Sequence, residues 1–306
     1  MDSAIHQTTH EPYEILLIDD GSTDRTPEIL DEYAEKYEHI RVIHQENQGI
    51  GKTRRRAAKE ARGAYIFWID ADDYADERLL DKTLPLLIDG ADIVVYGIES
   101  FDSAGNIKSK VILNSDKKSY ELKNDALKGT IGNVWMYGST GCYWEDERIP
   151  FQVERSGEDG YMTIRIFEKA KVIKALSDVL YYYRDDNAGA TRHSFSSASY
   201  MGTAFLWFYR MKLSEEYFSE NVRGCAKRAM SAFVRVYAID SVTHELTNER
   251  KKYIIDSLKE LNGYSIRGRW RDKFLSWTIL HGYSTFCYWY GMHRYKKWKR
   301  KLKAQF

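Results

Sequence analysis

The first hundred residues alternate between short apolar runs and helical segments, and this alternation restricts the possible folds more than any other feature. Four apolar runs are predicted to be strands, at residues 13–18, 40–44, 64–69 and 92–96. Helices are predicted between them, at residues 26–37, 51–62 and 77–88. Strand–helix–strand repetition with short links predicts a mostly parallel sheet flanked by helices. The runs are continuously apolar, which is typical of strands buried on both faces.

The remainder of the chain is less regular, and it divides the sequence into two predicted parts. Residues 97–195 mix both kinds of pattern, with a helix expected at 157–169, whereas residues 196–306 are mainly helical. We therefore predict an α/β domain over residues 1–195 and a helical C-terminal region over 196–306. In the first helix, Thr26 is expected to be the N-cap, because Pro27 suits the first helical position.

Charge and cysteine content exclude several classes of protein. The formal net charge is +1, so the chain has no general attraction to polyanions and no nucleic-acid partner is expected. Its three cysteines, Cys142, Cys225 and Cys287, lie far apart and are odd in number. A disulfide framework or zinc knuckle is therefore not expected. The cysteine content instead predicts a reducing compartment, the cytoplasm.

Two acidic clusters follow predicted strands at their carboxyl ends. Asp19 and Asp20 follow the first strand, and Asp70, Asp72 and Asp73 follow the third. Parallel strands bring both clusters to one edge of the sheet, where ligands bind in folds of this kind. A Mg²⁺ or Mn²⁺ ion held by one or two carboxylates, with a substrate diphosphate completing its shell, would offset their mutual repulsion. The alternative is that these aspartates cap strand–helix turns.

Basic and glycine residues open the helix that follows the second strand. The run from Gly49 to Thr53 (GIGKT) resembles a phosphate-binding loop, but Glu46 stands where that pattern needs glycine. A P-loop phosphotransferase is therefore a weaker alternative. Arg54 follows this run, and it is either part of a solvated helix face or a partner for a diphosphate near a helix N-terminus.

An adjacent acidic pair, Glu158 and Asp159, begins the helix expected at 157–169. Acids in the first turn interact favourably with the helix dipole, which explains such a pair without any function. A catalytic carboxylate is the other interpretation.

Taken together, these segments resemble glycosyltransferase family 2, whose members have the GT-A fold. The resemblance is carried by EILLIDDGSTD at 14–24, HQENQGIGKTR at 44–54, YIFWIDADDY at 65–74 and SGEDGYMTIRIFEKAK at 156–171, with LYYYR at 180–184. It implies a Rossmann-like nucleotide-binding part at residues 1–96 and an acceptor part at 97–195. Members of this family transfer one sugar from a nucleotide diphosphate with inversion at the anomeric carbon.

The resemblance also implies roles for individual residues of the donor site. Asp20 matches the acid that reads the uracil ring, and Asn47 and Arg54 match positions that line the nucleotide-sugar pocket. Asp70 matches the acid near the ribose, and Asp72 matches the direct ligand of a Mn²⁺ or Mg²⁺ ion. A UDP-sugar is therefore the expected donor.

The general base is matched by Asp159, the second residue of the acidic pair. The resemblance implies a metal-dependent inverting transferase that acts on a glycan or lipid-linked acceptor, in the synthesis of a cell-surface polysaccharide or glycolipid. Family members normally begin with an apolar strand, and residues 1–10 (MDSAIHQTTH) resemble the end of the helix that follows it. The sequence is thus expected to lack that strand, and an inactive remnant is the alternative to an active transferase.

The C-terminal region has two interpretations. Residues 274–293 contain no Lys, Arg, Asp or Glu, and seven basic residues follow between 294 and 303. The segment is either a helix packed on the rest of the protein or a peripheral contact with the inner face of the cell membrane, to which aromatic and basic side chains are suited.

Overall fold

The computed structural model describes residues 1–145, 157–185, 197–264 and 270–303. These residues form two compact units: one contains residues 1–145 and 158–185, and the other contains Gly157 with residues 197–264 and 270–303. The predicted boundary between residues 195 and 196 lies outside the described residues.

The first unit alternates strands and helices along most of its length. Its strands are β1 (Ile15–Asp19), β2 (Ile40–His44), β3 (Tyr65–Phe67), β4 (Tyr74–Ala75), β5 (Ile93–Phe101), β6 (Ile107–Val111), β7 (Tyr137–Thr140) and β8 (Ile173–Arg184). Its helices are α1 (Asp2–Ile5), α2 (Thr26–Lys36), α3 (Ile50–Glu60), α4 (Leu79–Ile88), α5 (Ser119–Lys128) and α6 (Glu158–Lys169). The α/β class predicted from the sequence is confirmed.

The strands form two sheets, and the expected mostly parallel arrangement is wrong in detail. Strands β1 and β2 pair in parallel as a two-stranded sheet. The larger sheet has the order β3-β7-β5-β8-β4, with β6 also paired to β5. Within it only β5 and β8 are parallel; the other described pairs are antiparallel. The sheet is therefore mixed.

One cause of this difference is β7, a four-residue strand that was not predicted from the sequence. It lies antiparallel between β3 and β5, so these two strands are not neighbours. Gly138 on β7 lies opposite Phe67 on β3, and a Cβ atom at residue 138 would lie 2.1 Å from the Phe67 ring. Glycine at this position thus makes room for the aromatic side chain of the neighbouring strand.

The core of the first unit is built around the central strands β5, β7 and β8 and helix α6. Its largest fully buried side chains include Trp144, Tyr96, Tyr137, Tyr181 and Phe167. Because this core is rigidly packed, it fixes the positions of the loops at the ends of the strands.

The N-cap of α2 differs by one residue from the prediction. Arg25 is the N-cap and Thr26 the first helical residue. The backbone N–H of Thr26 donates to the Asp24 carboxylate at 2.9 Å. The side-chain acceptor at the start of this helix is therefore Asp24, whereas Thr26 was expected to supply it.

The second unit is helical, as predicted. Its α-helices are α7 (Ser197–Tyr217), α8 (Val222–Thr243), α9 (Asn248–Asn262), α10 (Trp270–Leu280) and α11 (Thr285–Lys303). Helix α8 is central to its core and packs against α7, α9, α10 and α11. At Gly291 of α11 a Cβ atom would lie 2.2 Å from the Ala238 carbonyl oxygen, so glycine permits a close approach of α11 to α8. Among the described residues no helix is both long and apolar enough to cross a bilayer.

Candidate active site

A buried arginine, Arg54, gathers three carboxylates from separate segments of the first unit. Its side chain is 5% exposed, and it lies one turn into α3. One guanidinium nitrogen lies 3.2 Å from Asp70, which follows β3, and another lies 3.3 Å from Glu158. The same guanidinium also forms an ion pair with Asp159 at the start of α6. Arg54 is therefore not part of a solvated helix face.

In this cluster one guanidinium faces three carboxyl groups. This arrangement and the burial of the cluster determine the pKa of Asp159. Burial raises the pKa of Asp159 to about 7; Arg54 opposes this shift, whereas the Glu158 and Asp70 carboxylates add to it. Glu158 is 8% exposed, and its Oε2 atom is buried without a hydrogen-bond partner in the described structure. The cluster thus holds a carboxylate that changes protonation near neutral pH, as a general base requires.

The loop between β3 and β4 is held by Tyr181 of β8. The Tyr181 hydroxyl donates to the Asp73 carboxylate at 2.7 Å and accepts from the Asp70 backbone N–H at 3.1 Å. Trp135 stacks on the Tyr181 ring, with ring centroids 4.8 Å apart. Burial raises the pKa of Asp73 to about 6. The backbone that carries Asp70 and Asp72 is therefore fixed from the opposite side by a buried tyrosine.

Asp72 is the one acid of this loop whose side chain faces solvent. It is exposed, and no hydrogen bond or ion pair with another described residue engages its carboxylate. In the described parts of the chain, no three His, Cys, Asp or Glu side chains converge closely enough to hold a metal ion by themselves. This arrangement fits an ion that takes one protein carboxylate and completes its shell with diphosphate oxygens and water, as Mg²⁺ commonly does.

The loop that begins α3 is bound by Asp20. Its carboxylate accepts from the backbone N–H groups of Gln48 and Gly49, both at 2.9 Å, and from the Gln45 side chain at 2.6 Å. Burial raises the pKa of Asp20, but these hydrogen bonds outweigh it and leave the pKa lowered. Because an anion already occupies N–H groups at this helix start, the arrangement argues against a phosphate-binding loop of the P-loop type.

Asn47 lies in the same loop, with its side chain exposed. A Cβ atom at Gly21, where φ is 74°, would lie 2.8 Å from the Asn47 backbone nitrogen. Glycine at residue 21 therefore allows the two loops to meet, and it places Asn47 beside the loop that contains Asp20.

Asp19 has a structural role. It is 5% exposed and accepts from the Ser22 backbone N–H at 3.0 Å. His44 on the neighbouring strand lies 3.0 Å from its other oxygen and 3.1 Å from Asp31. These contacts lower the pKa of Asp19 and raise that of His44. Asp19 thus caps the turn after β1, as the turn-capping interpretation predicts, and it also joins β1 to β2 through His44.

The structure brings three of the six predicted site residues into direct contact: Arg54, Asp70 and Asp159. Asp20 and Asn47 lie in adjoining loops at the start of α3, and Asp72 lies on the loop that follows Asp70. Sequence reasoning gave Glu158 no specific role and missed Tyr181. The run YYY at 181–183, in a segment expected to be extended, was the available signal for Tyr181, since alternate side chains of a strand face the core.

Comparison with known proteins identifies the family of this arrangement. Residues 1–146 match the family model described as Glycosyl transferase family 2. Residues 1–146, slightly less than half of the chain, thus match glycosyltransferase family 2. The resemblance inferred from the sequence motifs is confirmed.

Two curated relatives illustrate the extent of the similarity. The chain is 30% identical over 206 residues to the uncharacterized glycosyltransferase EpsJ of Bacillus subtilis, covering 65% of this chain and 60% of EpsJ. It is 26% identical over 264 residues to the poly(ribitol-phosphate) β-N-acetylglucosaminyltransferase TarS of Staphylococcus aureus, covering 85% of this chain and 42% of TarS. In both cases it spans less than two thirds of the relative's length.

Solved structures agree on the fold. The crystal structure of S. aureus TarS 1–349 in complex with UDP superposes with a TM-score of 0.56 at 19% identity, over 85% of this chain and 74% of that one. A mannosyltransferase from Pyrobaculum calidifontis in complex with GDP-Man and Mn²⁺ gives a TM-score of 0.51 at 13% identity, over 95% of this chain and 81% of that one. At these identities the likeness concerns the fold, which is the GT-A fold with an additional helical region.

Proposed function

We propose that this protein transfers a sugar from a UDP-sugar to an acceptor hydroxyl, with inversion at the anomeric carbon. The observation that carries the proposal is the cluster in which Arg54 joins Asp70, after β3, to Asp159, at the start of α6. A nucleotide-sugar transferase needs a cation near the diphosphate and a carboxylate near the acceptor, and the cluster offers both within a few ångströms.

Asp159 is the proposed general base. Its carboxylate takes the proton of the acceptor hydroxyl as that oxygen forms a bond to the anomeric carbon. The bond from this carbon to the diphosphate oxygen breaks, and its electron pair leaves with the nucleoside diphosphate. Attack opposite to the leaving group inverts the configuration, and a base with a pKa near the working pH is best suited to such proton transfer.

The donor is held by residues on the two neighbouring loops. Arg54 is the proposed partner of the diphosphate, because a guanidinium forms strong charge-assisted hydrogen bonds with phosphate oxygens. Asp20 and Asn47 are proposed to contact the nucleoside, and Asp70 the ribose. Since Asp20 already accepts hydrogen bonds from the loop at the start of α3, this loop and the nucleoside would be positioned together.

Asp72 is the residue that would hold a Mn²⁺ or Mg²⁺ ion. Its exposed carboxylate leaves room for diphosphate oxygens. When bound, such an ion would neutralise charge on the departing diphosphate. The ion in the complex of the P. calidifontis enzyme is Mn²⁺.

The acceptor is proposed to be a glycan or a lipid-linked glycan of the cell surface. This proposal follows from the similarity to TarS, a poly(ribitol-phosphate) β-N-acetylglucosaminyltransferase. A cytoplasmic location belongs to the same proposal, because Cys142, Cys225 and Cys287 are all free thiols, as is typical in a reducing compartment.

The donor site is tested by thermal unfolding with UDP, GDP, CMP and ATP, each with and without Mn²⁺. A ligand at a hundredfold excess over its Kd stabilises the folded state by about 2.7 kcal/mol. We expect the melting temperature to rise with UDP in the presence of Mn²⁺, and this rise to be much smaller in Asp72→Asn. A rise with ATP alone would contradict the proposed donor.

The base is tested with Asp159→Asn, using release of UDP from a panel of UDP-sugars as the assay. We expect the UDP-induced melting shift to persist while turnover falls by about 10²–10⁴-fold, the usual contribution of a general base. Asp116→Asn, which changes an exposed carboxylate before α5, is the matched control. Near-normal turnover in Asp159→Asn would refute the assignment.

A further inference from the structure

Helices α10 and α11, with the turn between them, expose an unusual number of aromatic side chains. The aromatic surface consists of Trp270, Phe274, Trp277, Tyr283, Phe286, Tyr288 and Trp289. Trp270 is 76% exposed and Trp289 is 66% exposed. The Phe274 and Phe286 rings join the two helices, with centroids 5.4 Å apart, and the Trp277 ring lies 5.7 Å from that of Tyr283 in the turn. Single exposed apolar residues need no explanation, but a contiguous patch indicates an interaction site.

The same segment carries a strong positive charge. Residues 273–306 contain eight Lys and Arg and no Asp or Glu. Because the whole chain has a net charge of +1, residues 1–272 carry the difference between +1 and +8, which is −7. The net positive charge of this protein therefore arises from its last helices, whereas the rest of the chain is net negative.

Aromatic and basic side chains share one face of α11. The spacing of three or four residues aligns an exposed stripe of Phe286, Trp289, His293, Lys296, Lys297 and Arg300. At 3.6 residues per turn these positions fall within an arc of about 100°. Cys287 and Gly291 are buried on the other side, where α11 packs against α8. The stripe is thus fixed outward by the packing of the opposite face.

We propose that the aromatic surface and the basic stripe of α11 bind to the surface of an anionic lipid bilayer. Tryptophan and tyrosine favour the boundary between headgroups and acyl chains, and basic side chains are attracted to anionic headgroups. The two signals together give stable peripheral binding where one alone is marginal. This contact is independent of the chemistry at Arg54 and Asp159, and it would retain the protein at the membrane.

A second copy of the chain is a less suitable partner for this surface. A twofold contact would place the basic stripe of each copy against the other, so like charges would oppose association. An anionic bilayer instead satisfies the apolar and the charged parts of the surface at once.

The test is flotation of the full-length protein with vesicles of phosphatidylcholine containing about a third phosphatidylglycerol, compared with phosphatidylcholine alone. Each basic residue near an anionic surface contributes about fivefold in binding, so Lys296→Gln with Lys297→Gln should lower the partition coefficient about 25-fold. Arg223→Gln with Lys227→Gln, on the exposed side of α8 within the same unit, removes the same charge and should change binding little. Binding that is equal for both pairs, or equal for neutral vesicles, would overturn the proposal.

Insertion of the aromatic side chains is tested separately by quenching of tryptophan fluorescence with brominated lipids. We expect quenching in the wild-type protein and a clear loss in Phe274→Ser combined with Phe286→Ser, which leaves every tryptophan of this surface in place. Tyr217→Ser, an exposed aromatic at the end of α7, is the control. Vesicle binding without quenching would indicate a purely ionic contact and would refute the role of the aromatic surface. A dimer in light scattering that Phe286→Ser abolishes, without vesicle binding, would assign the surface to a second copy instead.

Discussion

Replacing Asp159 with asparagine should stabilise the protein, and the gain should be larger at alkaline than at acidic pH. Burial raises the pKa of Asp159 to about 7, against 3.8 for an ordinary aspartate. The folded state therefore holds a proton that the unfolded state has already released between these two pH values. Stability falls as pH rises through this window, because ionisation of Asp159 stabilises the unfolded state while the folded state still keeps its proton.

The magnitude follows from the difference between the two pKa values. A difference of about three pH units corresponds to about 4 kcal/mol between the protonated and the ionised forms. Asparagine resembles the neutral acid, so Asp159→Asn avoids this cost. The linkage relation, integrated over pH, gives the size of the effect. The unfolding free energy that Asp159→Asn gains at about pH 8 should exceed its gain at about pH 5 by about 2–3 kcal/mol.

The assay is chemical denaturation of wild-type and variant protein at both pH values, followed by circular dichroism. Asp116→Asn serves as the control for removing a carboxylate, and its effect should not depend on pH in this way. A gain for Asp159→Asn that is the same at both pH values would refute the raised pKa. A loss of stability at alkaline pH would mean that the ion pair with Arg54 dominates instead.

Three further predictions concern residues outside this ion pair. Tyr181→Phe removes the hydroxyl that donates to Asp73; it should cost about 1–3 kcal/mol of unfolding free energy and weaken Mn²⁺-dependent UDP binding, measured by calorimetry. Gly291→Ala forces a Cβ against the backbone of α8 and should lower stability by about 1–3 kcal/mol, whereas no loss would indicate that α11 shifts freely. The pKa of His44, followed by NMR, should lie above 6.5 and should fall in Asp19→Asn, and an unchanged value would contradict their hydrogen bond.

Local elements of the first unit were predictable because their signals are local. Helices α2 and α3 begin and end within two residues of their predicted bounds, since apolar spacing and turn residues are read within a few positions. The pairing of the strands was not predictable in this way. The four residues of β7 give little signal, and their insertion between β3 and β5 depends on a contact between Gly138 and Phe67 that is distant in sequence.

In the candidate site, too, local sequence motifs were informative and long-range contacts were not. Motif resemblance identified Arg54, Asp70 and Asp159, and the structure brings these three together. Their sequence positions give no indication that one guanidinium joins all three acids, because burial and distance depend on the packed chain. Tyr181 was missed for the same reason: its hydroxyl bridges two residues more than a hundred positions away.

The shortage of positive charge around Arg54 has a consequence for the order in which substrates arrive. One guanidinium faces three carboxyl groups in this cluster, and Asp72 adds a fourth on the adjoining loop. A free nucleoside diphosphate is itself an anion, so Coulomb repulsion opposes its entry in the absence of a cation. On the proposed function, the donor would enter as its complex with a divalent ion. Removing the divalent ion with a chelator would then slow the same step as adding donor in excess over the ion. That step is capture of the donor.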